Sequence, residues 1–237
     1  MEREAFRRLS PMPLHLNPVE AELTTAATDA LLTVVVVAGI IWLRGSVPAS
    51  PRRAHWVLGL SLFALAGAVG ATVHGFDLDP STRQLLWQPL YLTLGSALAF
   101  FSAGAIGDWR GDAPARRAVP PLLALVAAFY LLTRLSGGKF LVFVIFEAAA
   151  LLFALVVYAR LALRHKPGAG LVFTGLVLSL AGGALQASNL SLHVIWDFNH
   201  NGLYHLVQLV GVLFLLAGLR GTLSVPQGES ASRLAAR

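Results

Sequence analysis

The chain has 237 residues, 56% of them hydrophobic and only 13% charged, against roughly 25% charged in an ordinary soluble domain; this predicts an integral membrane protein. Cysteine is absent, which excludes disulfides, thiolate nucleophiles and cysteine-based zinc sites and leaves histidine and carboxylate chemistry. The net charge of +6 marks cytoplasmic loops in a membrane protein rather than a nucleic-acid patch, so no nucleic-acid partner is expected.

A spanning helix needs about 20 mostly apolar residues, and seven stretches approach that length. They run from Thr24 to Leu43, Val57 to Phe76, Leu85 to Ile106, Val119 to Leu135, Phe140 to Ala159, Gly170 to Ala187 and Leu203 to Leu219. Pro120 and Pro121 are expected to open the fourth, where a missing N–H does no harm. The predicted fold is all-α, a seven-helix transmembrane bundle over residues 24–220. Residues 1–23 form an N-terminal segment that lacks the basic-then-apolar order of a signal peptide and stays attached. Residues 221–237 are polar and aperiodic and read as a disordered tail.

Lys and Arg orient the bundle under the positive-inside rule. Twelve fall on one side, from Arg44 to Arg237, and six on the other, namely Arg3, Arg7, Arg8, Arg83, Arg134 and Lys139. The richer side is cytoplasmic, which puts the N-terminus outside and the C-terminus inside, in a plasma membrane. Trp42, Trp56 and Trp109 then fall at the inner interface and Trp87 and Trp196 at the outer one, as anchors.

Ionisable and amide side chains inside hydrocarbon are costly, so their default reading is functional. Here they share one depth. At about 1.5 Å per residue, Asp29 lies about 7 Å and Glu147 about 10 Å below the outer ends of their spans. His74 ends the second span on that side, Gln88 and Tyr91 begin the third, and Gln186 closes the sixth. Asn201, Tyr204, His205 and Gln208 recur three and four apart and share one face of the seventh span. The inner halves carry nothing comparable, so the pattern predicts a polar chamber in the outer half of the bundle.

Neutral imidazole is the commonest zinc ligand, and a catalytic site uses three protein ligands with an open position for water. His74 and His205 are the predicted ligands, with Asn201, His200 or His193 as the third donor. Glu147 or Asp29 would orient a ligand or take a proton. The expected partner is the bilayer, with a lipid as substrate or ligand.

Three motifs carry a likeness to a family. Glu22 followed by Thr28-Asp29 resembles the opening of the first helix in the CREST superfamily of alkaline ceramidases, progestin/adipoQ receptors and related seven-helix membrane hydrolases. Gly70-Ala71-Thr72-Val73-His74 resembles its second-span motif, a Ser four residues before a zinc-binding His. Asn201-Gly202-Leu203-Tyr204-His205 resembles its paired-histidine motif opening the last helix. The resemblance implies zinc-dependent lipid amide hydrolysis at the outer end of the bundle. The chain departs from the family pattern in having Gly70 for the Ser, Asn201 for the first His and Trp87 where the third span carries an Asp.

The leading expectation is therefore a zinc-dependent lipid amide or ester hydrolase, or a relative that retains the site without turnover. The alternatives are a receptor-like or lipid-binding module and, less favoured because of the apolar inner halves, a transporter or proton relay. Retinal-type Schiff-base chemistry is excluded, because no Lys lies inside a span.

Overall fold

Seven long helices and a two-residue hairpin make up the described part of the chain, residues 15–225 of a computed structural model. They are α1 (Glu20–Ser46), α2 (Pro51–Gly75), α3 (Pro80–Arg110), α4 (Asp112–Leu135), α5 (Phe140–Leu163), α6 (Ala169–Gln186), the strands β1 (Leu192–His193) and β2 (Asp197–Phe198), and α7 (His200–Leu223). All seven helices are long and apolar enough to cross a membrane, which is the build of a multi-pass membrane protein. The arginines at positions 3, 7, 8, 233 and 237, and the tail beyond residue 225, lie outside the described residues.

Local chemistry starts the helices. Ser50 caps α2, its hydroxyl accepting from the Arg53 N–H at 3.1 Å, with Pro51 in the first helical position; Pro has no N–H to leave unbonded there. Asp79 and Pro80 repeat the arrangement at α3. Asn199 caps α7 by accepting from Asn201 and Gly202 N–H, each at 3.0 Å. At α1 no side chain caps the first turn, but Glu20 and Glu22 lie in it and complement the positive end of the helix dipole.

Several expected boundaries move. α4 starts at Asp112, so Pro120 and Pro121 lie inside it rather than opening it. Ala113, Ala115, Arg116, Arg117 and Ala118 before them are good helix formers, Asp112 supplies an acidic first turn, and Pro114 falls in that first turn where its missing N–H does no harm, so the helix extends back. α7 runs on to Leu223, so Gly221–Leu223 are helical rather than the start of a disordered tail. α2 begins at Pro51 and α3 ends at Arg110, each beyond the apolar run that signals it.

α1, α2, α3, α5, α6 and α7 pack in that order, and α7 returns against α1 to close a ring. α4 packs mainly on α3 at the periphery, and its apolar window is 17% buried against 61% for α3 and 56% for α7. The tightest seam joins α6 and α7, where a Cβ on Gly175 would stand 2.6 Å from the Gly211 carbonyl oxygen. Small residues let the two backbones meet, as transmembrane helix pairs require. Closure of the ring brings α1 and α7 side by side, and that contact builds the site.

Candidate functional site

A cavity of about 700 Å³ opens at the end of the bundle where α1 starts, which is called the chamber end here. Its lining includes Asp29, His74, His200, Asn201, Tyr204 and His205, so five of the seven residues singled out in the sequence for catalysis or metal binding meet in one space, His193 and Glu147 being the two that do not. The Tyr204 hydroxyl faces the Glu147 carboxylate, and Tyr204 itself lines the chamber, so Tyr204 stands between the two. Glu147 lines a separate cavity of about 40 Å³ that also takes in Gln208. The Gln208 Oε1 atom is buried without a hydrogen-bond partner, and a space of that size accommodates a bridging water.

The expected stripe on α7 is present. Tyr204, His205 and Gln208 are buried, while Leu206 and Val210 are exposed on the opposite side. Two of the three chamber imidazoles are braced at Nδ1. His74 Nδ1 lies 2.6 Å from Glu22 Oε2, and His205 Nδ1 lies 3.1 Å from Thr28 Oγ1. Glu22 is itself held from the other side by Asn199 Nδ2, which donates to its Oε1 at 3.3 Å. His205 Nε2 faces Asp29 Oδ1 at 3.3 Å.

The sharing of protons around His205 follows from the donors available. The Thr28 hydroxyl reaches the carbonyls of Thr24 and Thr25 at 3.0 and 2.9 Å. With its one hydrogen donated to the helix, Thr28 Oγ1 accepts from His205 Nδ1–H. That assigns the tautomer from the network and leaves the Nε2 lone pair facing a carboxylate oxygen. Two acceptors at this separation require a proton or a cation between them.

Gly70 explains how the carboxylate fits. A Cβ at that position would lie 2.6 Å from Asp29 Oδ2, so the space occupied by a Ser in the resembled motif is filled here by the Asp29 side chain reaching across from α1. Trp87 meets the His74 ring edge-on, with centroids 6.0 Å apart. It therefore occupies the position beside the imidazole and is not a lipid-facing anchor. Trp56 is no anchor either, being 1% exposed.

The remaining candidates are less central. His200 stands in the first turn of a regular α7 at the chamber wall. Asn201 Oδ1 accepts from Gln186 Nε2 at 3.4 Å. His193 is exposed in the hairpin, with Asp197 2.7 Å away. Glu20 Oε1 accepts the Asp197 N–H at 3.2 Å. Among the described residues no three His, Asp or Glu side chains gather closely enough to hold a metal ion.

Residues 24–224 match a family of unknown function, DUF6962. The chain belongs to that family. No curated protein and no solved structure matches it. For this DUF6962 member, the geometry of the chamber itself carries the functional argument.

The far end of the bundle corrects one sequence expectation outright. Its helix halves are not apolar: Asp108 lies there with its side chain 2% exposed and pairs with Arg52 at 3.2 Å. It also accepts from Trp56 Nε1 at 3.2 Å and from the Tyr158 hydroxyl at 2.5 Å. Arg52 further donates to the Val225 carbonyl at 2.9 Å. Apolar runs hide this cluster, because Arg52 and Asp108 lie just beyond the ends of those runs and only the helix extensions carry them inside.

Proposed function

We propose that the chain is a membrane hydrolase of the CREST type that cleaves an amide or ester bond of a membrane amphiphile admitted to the chamber, with the chamber end facing away from the cytoplasm. The observation that carries this reading is the Asp29–His205 contact, two acceptors 3.3 Å apart on a cavity of about 700 Å³. That volume lies within the roughly 300–1,000 Å³ of small-molecule sites. A proton held between these groups is positioned for acid–base work on a bound carbonyl.

Zinc is the cofactor this reading favours. Metal-bound histidines have their other ring nitrogen fixed by a carboxylate or another oxygen, and both His74 and His205 have Nδ1 held in that way. His74 and His205 would hold the ion, with His200 or Asn201 as the third donor; because no three His, Asp or Glu side chains gather closely enough for this among the described residues, loading would have to draw the donors together. Bound zinc would supply a water that ionises near neutral pH. The chain's own part is to orient the donors through Glu22 and Thr28, to exclude bulk water and to hold the proton at Asp29. In the overall reaction water adds across the acyl C–N or C–O bond, the acyl carbon taking the hydroxyl and the leaving amine or alcohol taking the proton.

Elemental analysis of the purified chain, together with turnover of long-chain acyl amides and esters, tests the reading. About one zinc per chain, lost in His74→Ala and His205→Ala together with activity, is the expected result. Chains without metal in wild type and variants alike, together with no turnover of any acyl amide or ester, would overturn it and leave a non-catalytic amphiphile-binding protein.

A further inference from the structure

The chamber is layered, and its layers describe a ligand. Arg83 on the first turn of α3 and Arg134 on the last turn of α4 line its mouth. Neither forms an ion pair with a carboxylate among the described residues. Glu22, the acidic group that Arg83 senses, is already held by His74 and Asn199. Below the arginines stand His74, Asp29 and His205, and Leu32, Phe63 and Leu94 line the deep end. From Arg83 to Leu94 a helix advances about 16 Å, so the cation layer and the apolar layer lie at opposite ends of the cavity.

Two further groups lie in the same cavity, Gln88 between Arg83 and Leu94 on α3 and Gln186 at the last position of α6. Gln88 and Gln186 both line the chamber, and the Oε1 atom of each is buried with no hydrogen-bond partner. The amide nitrogens are committed, Gln88 Nε2 to the Gln84 carbonyl at 3.5 Å and Gln186 Nε2 to Asn201 Oδ1 at 3.4 Å. The orphaned atoms are therefore acceptors, and a buried acceptor without a donor is costly. A bound molecule that donates two hydrogens here would satisfy both.

We infer that the amphiphile carries an anionic head, a carboxylate or a phosphate, docked on Arg83 and Arg134, with amide N–H or hydroxyl donors placed against Gln88 and Gln186. Its acyl chain lies along the apolar deep end. The location of the scissile carbonyl, at the Asp29–His205 layer, rests on the hydrolytic reading above; the charge of the head does not. Arginine suits this role because its planar guanidinium donates in parallel to two oxygens of a carboxylate or phosphate.

Binding to the full-length chain in lipid nanodiscs, followed calorimetrically, provides the test. The probes are a long-chain N-acylglycine, its methyl ester, an alkyl phosphate and the matching alcohol. The charged members should bind about tenfold or more tightly than their neutral partners, as one or two charge-assisted contacts imply. The preference should vanish in R83Q/R134Q, shrink in R134Q alone at a position exposed enough to tolerate the change, and persist in Asp29→Asn. Stronger binding of the acylglycine or of the alkyl phosphate identifies the head. Equal binding of charged and neutral probes, a preference that survives R83Q/R134Q, or no binding of any probe would overturn the inference. Equal binding with Asp29-dependent turnover would sink the anionic head and leave the hydrolase standing, whereas anion preference without turnover of any acyl amide or ester would do the reverse.

Discussion

The two ends of the bundle use the same kinds of side chain to opposite effect. At the far end Asp108 meets Arg52, Trp56 and Tyr158, and its two oxygens accept from all three in an enclosed site. At the chamber end Asp29 meets one imidazole across 3.3 Å, beside an open cavity with two orphaned amide oxygens on its wall. A buried carboxylate whose donors are all in place holds helices together. One whose donors are incomplete is waiting for a proton, a metal or a ligand, because an unsatisfied buried polar group is not retained for stability.

That contrast sets the largest expected effect at the far end. Asp108→Ala strands the Arg52 guanidinium and should destabilise the chain by about 3–5 kcal/mol, the usual consequence of breaking one side of a buried pair. Thermal unfolding in detergent measures it, and a shift no larger than that of Asp29→Asn would mean that the two ends do not differ in kind. At the chamber end the loss should fall on function. Thr28→Val removes the oxygen that sets the His205 tautomer and should reduce metal affinity or turnover by about 10–100-fold, with little change in unfolding.

Gly70→Ala places a methyl where the Asp29 carboxylate sits, and overpacking of this kind usually costs about 1–3 kcal/mol. The chain can relieve the clash by swinging Asp29 away from His205, so activity should fall further than stability; comparing the two losses in one preparation decides it. Gly70→Ala combined with Asp29→Ala should recover stability but not turnover, which separates crowding from chemistry.

The smallest effect is expected at Asp79, the cap of α3. Hydrogen bonds from Ser81, above all, and from Thr82 hold its carboxyl well below the usual carboxylate range. A lowered value means that its contribution is complete at neutral pH and is lost as pH falls through that lowered value. Asp79→Ala should lower the unfolding midpoint slightly at pH 7, and the gap from wild type should close in strong acid. A gap that stays constant with pH would show that the carboxylate charge plays no part in the cap.

Much of this could be read before any coordinates. Spacing alone put Tyr204, His205 and Gln208 on one face of α7, and the depth count brought Asp29 to the level of His74 and His205. The Asp108 cluster was not legible, because a hydropathy run ends where the first charge appears and gives no sign that the helix continues through it. The braces were equally hidden. Glu22 and Thr28 are marked in the sequence only by a likeness to another family's first helix, and nothing in the order of residues says that one would meet His74 and the other His205. Glu147 is expected in the chamber and lines the smaller neighbouring cavity instead, because a count of residues from a span end does not say which of two adjacent cavities a side chain enters.

The order of residues along the chain was enough to determine the number of long apolar helices among the described residues, the lengths that suit them to a bilayer, and the polar band at one end, since these depend on composition and on a rise of about 1.5 Å per residue. Which side chains touch was decided only by the closing of the ring, which set α1 against α2 and α7 and turned Asp29 into the space beside Gly70. Contacts between residues more than a hundred positions apart depend on how whole helices rotate and pack against one another, and no local pattern encodes that rotation.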